Sequence, residues 1–69
     1  MVTLYTTGCP RCHILESKLN EKKIPFQTVN GIEAADAIEE LGYLTAPLLV
    51  NDDEVMDFNK AMQWIGGQP

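Results

Sequence analysis

Cations are scarce in this chain: five Lys and Arg stand against ten Asp and Glu, a formal net charge of −5 over 69 residues. That balance argues against a nucleic-acid binder, since phosphate affinity needs clustered Lys and Arg. It argues equally against docking on anionic lipid. No apolar run approaches the roughly 18 residues that a membrane span needs. Met1-Val2-Thr3-Leu4-Tyr5 lacks a basic region followed by a long apolar stretch. It reads as a strand that begins at once rather than a signal peptide, and the cytoplasm is the expected compartment. Internal repeats, linkers and low-complexity tracts are also missing. A chain of this length makes one domain, residues 1–69, with a modest core. Its 45% hydrophobic content is enough for it to fold alone.

The acids that are present gather in the second half: Glu33, Asp36, Glu39, Glu40, then Asp52, Asp53, Glu54 and Asp57. Two readings of them stand side by side. They form a solvated face that keeps the protein soluble, or a docking surface for a basic partner.

Val2 to Thr6 alternates apolar and polar residues and is rich in β-formers, which predicts a strand. Thr7-Gly8 is a turn. Pro10 suits the first turn of a helix, where its missing N–H costs nothing. From Arg11 to about Lys23 the apolar residues Cys12, Leu15 and Leu19 recur at helical spacing, with Ile14 beside them. Lys18, Lys22 and Lys23 lie late in this helix, where positive charge suits the dipole. Ile24-Pro25 forces an extended step. Phe26 to Val29 reads as a second strand and Asn30-Gly31 as a stop. Glu33 to Leu41 reads as a helix ended by Gly42. Leu48-Leu49-Val50 is a compact strand, turned by Asn51-Asp52-Asp53 into a partner over Glu54 to Met56. Asp57 or Asn59 caps a last helix running to Ile65, and Gly66-Gly67 end it. The predicted order is β-α-β-α-β-β-α, and its first three elements form a βαβ unit with parallel pairing.

Cys9 and Cys12 are the only cysteines. A disulfide between them would close too short a loop to add much stability. In a cytoplasmic chain such a pair is more often catalytic or metal-binding than structural. Cys9 falls at the N-terminal edge of the first helix, where unpaired N–H groups and the positive dipole end favour a thiolate. Arg11, and secondarily His13, add positive charge nearby. The thiolate is the attacking species in disulfide exchange. Cys12, almost one turn further on and more buried, is placed to resolve the mixed disulfide. A C-x-x-C between a strand and a helix of a βαβ unit is a strong redox signal. Pro47 opens the third strand, and adjacent strands would bring it beside the cysteines. A cis bond there would turn the Ala46 backbone outward toward an extended substrate segment.

Tyr5-Thr6-Thr7-Gly8-Cys9-Pro10-Arg11-Cys12, Thr45-Ala46-Pro47 and the element order resemble the glutaredoxin family of the thioredoxin superfamily. The resemblance implies an α/β fold: a thioredoxin-like, glutaredoxin-type three-layer sandwich around a mixed four-stranded sheet. It implies Cys9 as nucleophile, Cys12 as resolving thiol and Pro47 as the cis proline. Pro10, Arg11, Thr45, Ala46, Pro47 and Asp57 become the expected substrate contacts. No tightly bound cofactor and no metal are expected, and glutathione stands as an optional co-substrate. Glutathione-using members usually carry a Lys three residues before the first Cys, where this chain has Thr6. They also carry a Gly-Gly followed by Asp near the start of the last helix, where this chain has Val55-Met56-Asp57-Phe58-Asn59. These departures, the short length and the Cys12-His13 pair look more like the glutaredoxin-like hydrogen-donor redoxins. Those take electrons from thioredoxin reductase and serve ribonucleotide reductase, although Pro10 is unusual among them. The expected partners are a disulfide-bearing protein such as ribonucleotide reductase, and either glutathione or thioredoxin reductase as electron donor. The expected state is a monomer.

Two other readings use the same residues. Cys9-x-x-Cys12-His13 matches a c-type haem attachment pattern, but attachment needs an exported chain and usually a distal ligand such as Met56 or Met62. A metal or iron–sulfur module would draw on Cys9, Cys12 and His13, one ligand short of a tetrahedral zinc site. His13 and the lysines read as helix surface, Tyr5 as a cover on the edge of the site, and Phe58 and Trp64 as packing residues.

Overall fold

The computed structural model describes residues 1–68. It contains β1 (Val2–Thr6), α1 (Pro10–Glu21), β2 (Gln27–Asn30), α2 (Gly31–Glu40), β3 (Leu48–Asn51), β4 (Glu54–Met56) and α3 (Phe58–Gly66). The expected element order is therefore observed, and the domain expected over 1–69 is described up to Gln68. The sheet runs β2-β1-β3-β4. β1 and β2 are parallel, whereas β3 is antiparallel to both β1 and β4. The sheet is thus mixed.

Strand alternation assigns the layers. Val2 and Leu4 point to one face, where they join Leu49 and Met56 beneath Leu15 and Leu19 of α1 and Ala61 and Ile65 of α3. Thr3 and Tyr5 point to the other face, opposite Val50 and Leu48. That face is covered by α2 through the buried Ala34 and Ile38. A strand's successive side chains alternate between faces, so both sides of this sheet need a cover. The result is the expected three-layer sandwich.

Several boundaries differ from the sequence expectation, each for a local reason. α1 stops at Glu21, so Lys22 and Lys23 lie outside it. Lys22 is the C-cap, and Lys23 takes a left-handed φ of 57°. Only Lys18 remains as a cation in the last turn. β2 begins one residue late, because its register with β1 starts at Gln27 opposite Thr3. Phe26 packs against the main core instead. Asn30-Gly31 is not a stop. Asn30 ends β2 and is also the N-cap of α2, which starts at Gly31 rather than Glu33. Gly31 has φ 68°, a conformation glycine adopts without steric cost, so strand passes directly into helix. Leu41, expected as the last residue of this helix, is its C-cap and is 40% exposed. Asp57, not Asn59, caps α3: its Oδ1 accepts the Lys60 N–H at 2.8 Å.

Candidate dithiol active site

β1 delivers the chain to the cysteines. Thr6, its last residue, is only 8% exposed, and its Oγ1 accepts the N–H of Gly8 at 3.1 Å. This hydroxyl-to-backbone turn is a local alternative to continuing the ladder. It directs the chain out of the sheet and up to Cys9. The position three residues before Cys9 is therefore buried here and shapes the loop.

Cys9 is the N-cap of α1, with extended backbone, and Pro10 occupies the first helical position. The Cys9 Sγ accepts the Cys12 N–H at 3.2 Å, and the Cys9 carbonyl accepts the His13 N–H at 3.1 Å. A sulfur thus takes the place of the serine or aspartate oxygen that usually satisfies a helix's first free N–H groups. Cys9 and Cys12 are joined as a disulfide, with their Cα atoms 5.0 Å apart. That separation lies inside the normal range for a bridge. The two sulfurs differ in access: Cys9 is half-buried, whereas Cys12 is 1% exposed.

The Ala46–Pro47 peptide bond is cis, as expected. Pro47 is buried, and the β1–β3 register, ending with Tyr5 opposite Leu48, sets it level with the end of β1. Beside it lies a shallow cavity of about 160 Å³ lined by Arg11, Tyr43, Thr45, Ala46, Pro47, Asp57, Phe58 and Asn59. Five of the six expected contact residues therefore converge: Arg11, Thr45, Ala46, Pro47 and Asp57. Pro10 is exposed at the start of α1 and is not part of this lining.

Arg11 does not remain simply a neighbour of Cys9. Its guanidinium carbon sits 5.4 Å from the centroid of the Phe58 ring, a cation–π contact that ties the start of α1 to the start of α3. Phe58 also packs against the main core, so one ring serves both. Tyr43 was missed from sequence. It follows the αL residue Gly42, whose φ is 87°, and it donates its N–H to the Ile38 carbonyl at 3.0 Å. A tyrosine just after a helix-ending glycine was the available signal. His13 is exposed on α1. Among the described residues, no three His, Cys, Asp or Glu side chains come together as a metal-ligand group.

No family model matches the sequence, and a search of curated proteins finds no match. Among solved structures, the chain is similar to the glutaredoxin-like protein NrdH-redoxin from Escherichia coli, a protein described as having a thioredoxin-like activity profile. The two share 22% identity, and the superposition covers 99% of this chain and 95% of that one with a TM-score of 0.79. The likeness shows a thioredoxin-like fold of the glutaredoxin type.

Proposed function

We propose that this chain is a small dithiol–disulfide oxidoreductase that reduces disulfides in proteins. The observation that carries the reading is the asymmetry of the cysteine pair. One cysteine is only half-buried at a helix N-cap, with a backbone N–H directed at its sulfur, and its partner is sealed one turn behind. The N–H and the dipole end favour the thiolate at Cys9, and the thiolate is the nucleophile.

The exchange balances as two displacements. The Cys9 thiolate attacks one sulfur of the target disulfide, and the other target sulfur leaves as a thiolate that takes up a proton. Cys12 then gives up its proton and attacks the Cys9 sulfur, expelling the second target thiolate, which is protonated in turn. The target gains two electrons and two protons, and Cys9–Cys12 becomes the disulfide. An external thiol or dithiol donor returns the pair to the reduced state. The target segment lies extended against Ala46-Pro47, with Arg11, Thr45 and Asp57 around it and Pro10 at the approach to the sulfur.

As electron donor we favour thioredoxin reductase over glutathione. Thr6 is buried where a glutathione-binding lysine would stand, and the start of α3 lacks a glycine pair. The similar solved protein has a thioredoxin-like activity profile, which supports the same choice. Ribonucleotide reductase is the proposed target class and the cytoplasm the proposed compartment, with the protein acting as a monomer.

Cys9→Ser is expected to abolish reduction of a disulfide substrate. Cys12→Ser is expected to accumulate a mixed disulfide visible by non-reducing mass spectrometry. Full activity in Cys9→Ser overturns the assignment. Reduction of the oxidised protein by NADPH with thioredoxin reductase, compared with glutathione and glutathione reductase, decides the donor.

A further inference from the structure

The loop that carries the cis proline borders a second cavity. Adjoining the Arg11 cavity, a groove of about 310 Å³ opens between that loop and α2, lined by Ala35, Ile38, Glu39, Tyr43, Leu44 and the Thr7 that leads to Cys9. Leu44 is 97% exposed, the most exposed large apolar residue of the described chain. Covering Leu44 would recover roughly 2 kcal/mol of burial, on a groove whose lining includes Thr7, two residues before Cys9. Tyr43 and Ala46 line both cavities, so whatever lies along Ala46 in the first can continue into the second.

Charge identifies the occupant. From Ile24 to Asn59 the chain has eight acids and no Lys or Arg. Four of the acids, Glu33, Asp36, Glu39 and Glu40, are exposed on α2, and none forms an ion pair among the described residues. Glu39 lines the groove and also, with Asp36 and Glu40, the adjoining depression. The α2 side of the groove thus carries one lining acid, Glu39, with Asp36 and Glu40 beside it. A second copy would bring the same acids against themselves, which like-charge repulsion opposes.

We propose that the α2 groove docks a cationic polypeptide segment of the redox partner, with an apolar side chain against Leu44 and Ile38 and Lys or Arg residues over Asp36 and Glu39. This rests on the oxidoreductase reading and adds to it a partner chemistry: basic and apolar near the target cysteine. Such acids act mainly by steering the encounter and selecting partners by charge sign, so their effect weakens with salt.

Two synthetic peptides of one sequence test it. Each carries a leucine near its cysteine and differs only in having two Lys or two Glu flanking them. Binding is measured first, with serine replacing the peptide cysteine, by amide shift changes on titration into the oxidised protein. Exchange is measured second, with the cysteine in a disulfide and dithiothreitol as external dithiol donor. The Lys peptide is expected to shift the amides of Glu39 and Leu44 and to react about tenfold faster than the Glu peptide at low salt. At about 0.5 M salt the ratio should fall toward two, because screening then acts within a few Å. Asp36→Lys with Glu39→Lys is expected to invert the ratio, and Leu44→Ser to slow the Lys peptide about threefold. Equal binding and equal rates for the two peptides, or a ratio that the charge reversal leaves unmoved, overturns the docking proposal. Concentration-dependent dimerisation of wild type that Leu44→Ser abolishes overturns it in favour of a second copy. Selective binding of the Lys peptide with no exchange, even of a small neutral disulfide, retains the docking surface and removes the oxidoreductase reading beneath it.

Discussion

The two faces of the sheet are built on different terms. Beneath α1 and α3, Leu4, Leu15, Leu19, Leu49, Met56 and Ala61 are all fully buried, and the half-buried Ile24, Phe26, Phe58, Met62 and Trp64 close the edges. Beneath α2 the cover is thin. One helix contributes only Ala34 and Ile38 as buried residues, and of the sheet's own side chains there Leu48 is buried while Tyr5, Val29 and Val50 are half-buried. The first face holds the fold together. The second is left apolar, acidic and open, with Ile32, Leu41 and Leu44 facing water. The cysteines and the cis-proline loop lie where these regimes meet. On the proposed oxidoreductase reading, the densely packed layer lies behind the cysteine-bearing helix and the thinner one beside the cis-proline loop.

This contrast can be broken by measurement. In urea unfolding of the oxidised protein, Leu15→Ala is expected to cost about 3 to 4 kcal/mol, the usual range for a leucine removed from a close-packed core. Ile38→Ala should cost about 2 kcal/mol, at the low end, because the thinner layer collapses more readily around the loss. Equal costs at the two sites would mean that the faces are equally packed. Asp57→Ala removes the α3 cap and should cost about 1 kcal/mol, with Asn in its place retaining most of the stability. The smallest effect should come from Asp52→Asn. The N-terminal ammonium lies 2.7 Å from Asp52, but both groups are well exposed. The loss should stay below about 0.5 kcal/mol and vanish in high salt.

Much of this architecture was legible because local signals agreed. The alternation along Val2 to Thr6 marked β1 to the residue, and a capping residue, Asp57 or Asn59, at the head of an apolar helical pattern marked α3. The cysteine pair and Pro47 could be related by treating β1 and β3 as adjacent strands, which is how the sheet is ordered although β2 lies between them in sequence. What escaped was set by conformation rather than composition. Gly31 reads as a breaker until its positive φ is seen to start a helix. Lys22 and Lys23 look helical until the chain turns left-handed at Lys23. Leu44 and Leu48 are chemically identical, yet one is 97% exposed and the other 0%, because Leu44 lies in the loop and Leu48 in β3 between its neighbours. Arg11 could be read only as a charge near Cys9, since its contact with Phe58 joins residues 47 positions apart that no local pattern links.

The chain's single tryptophan is Trp64, packed on α3 against the main core. Its emission will therefore report loosening under α1 and α3 while staying nearly silent to anything that settles on α2. A fluorescence titration showing no change on mixing with a partner is then the expected optical signature of binding on the far side, and an extrinsic dye near Leu44 is needed to see it.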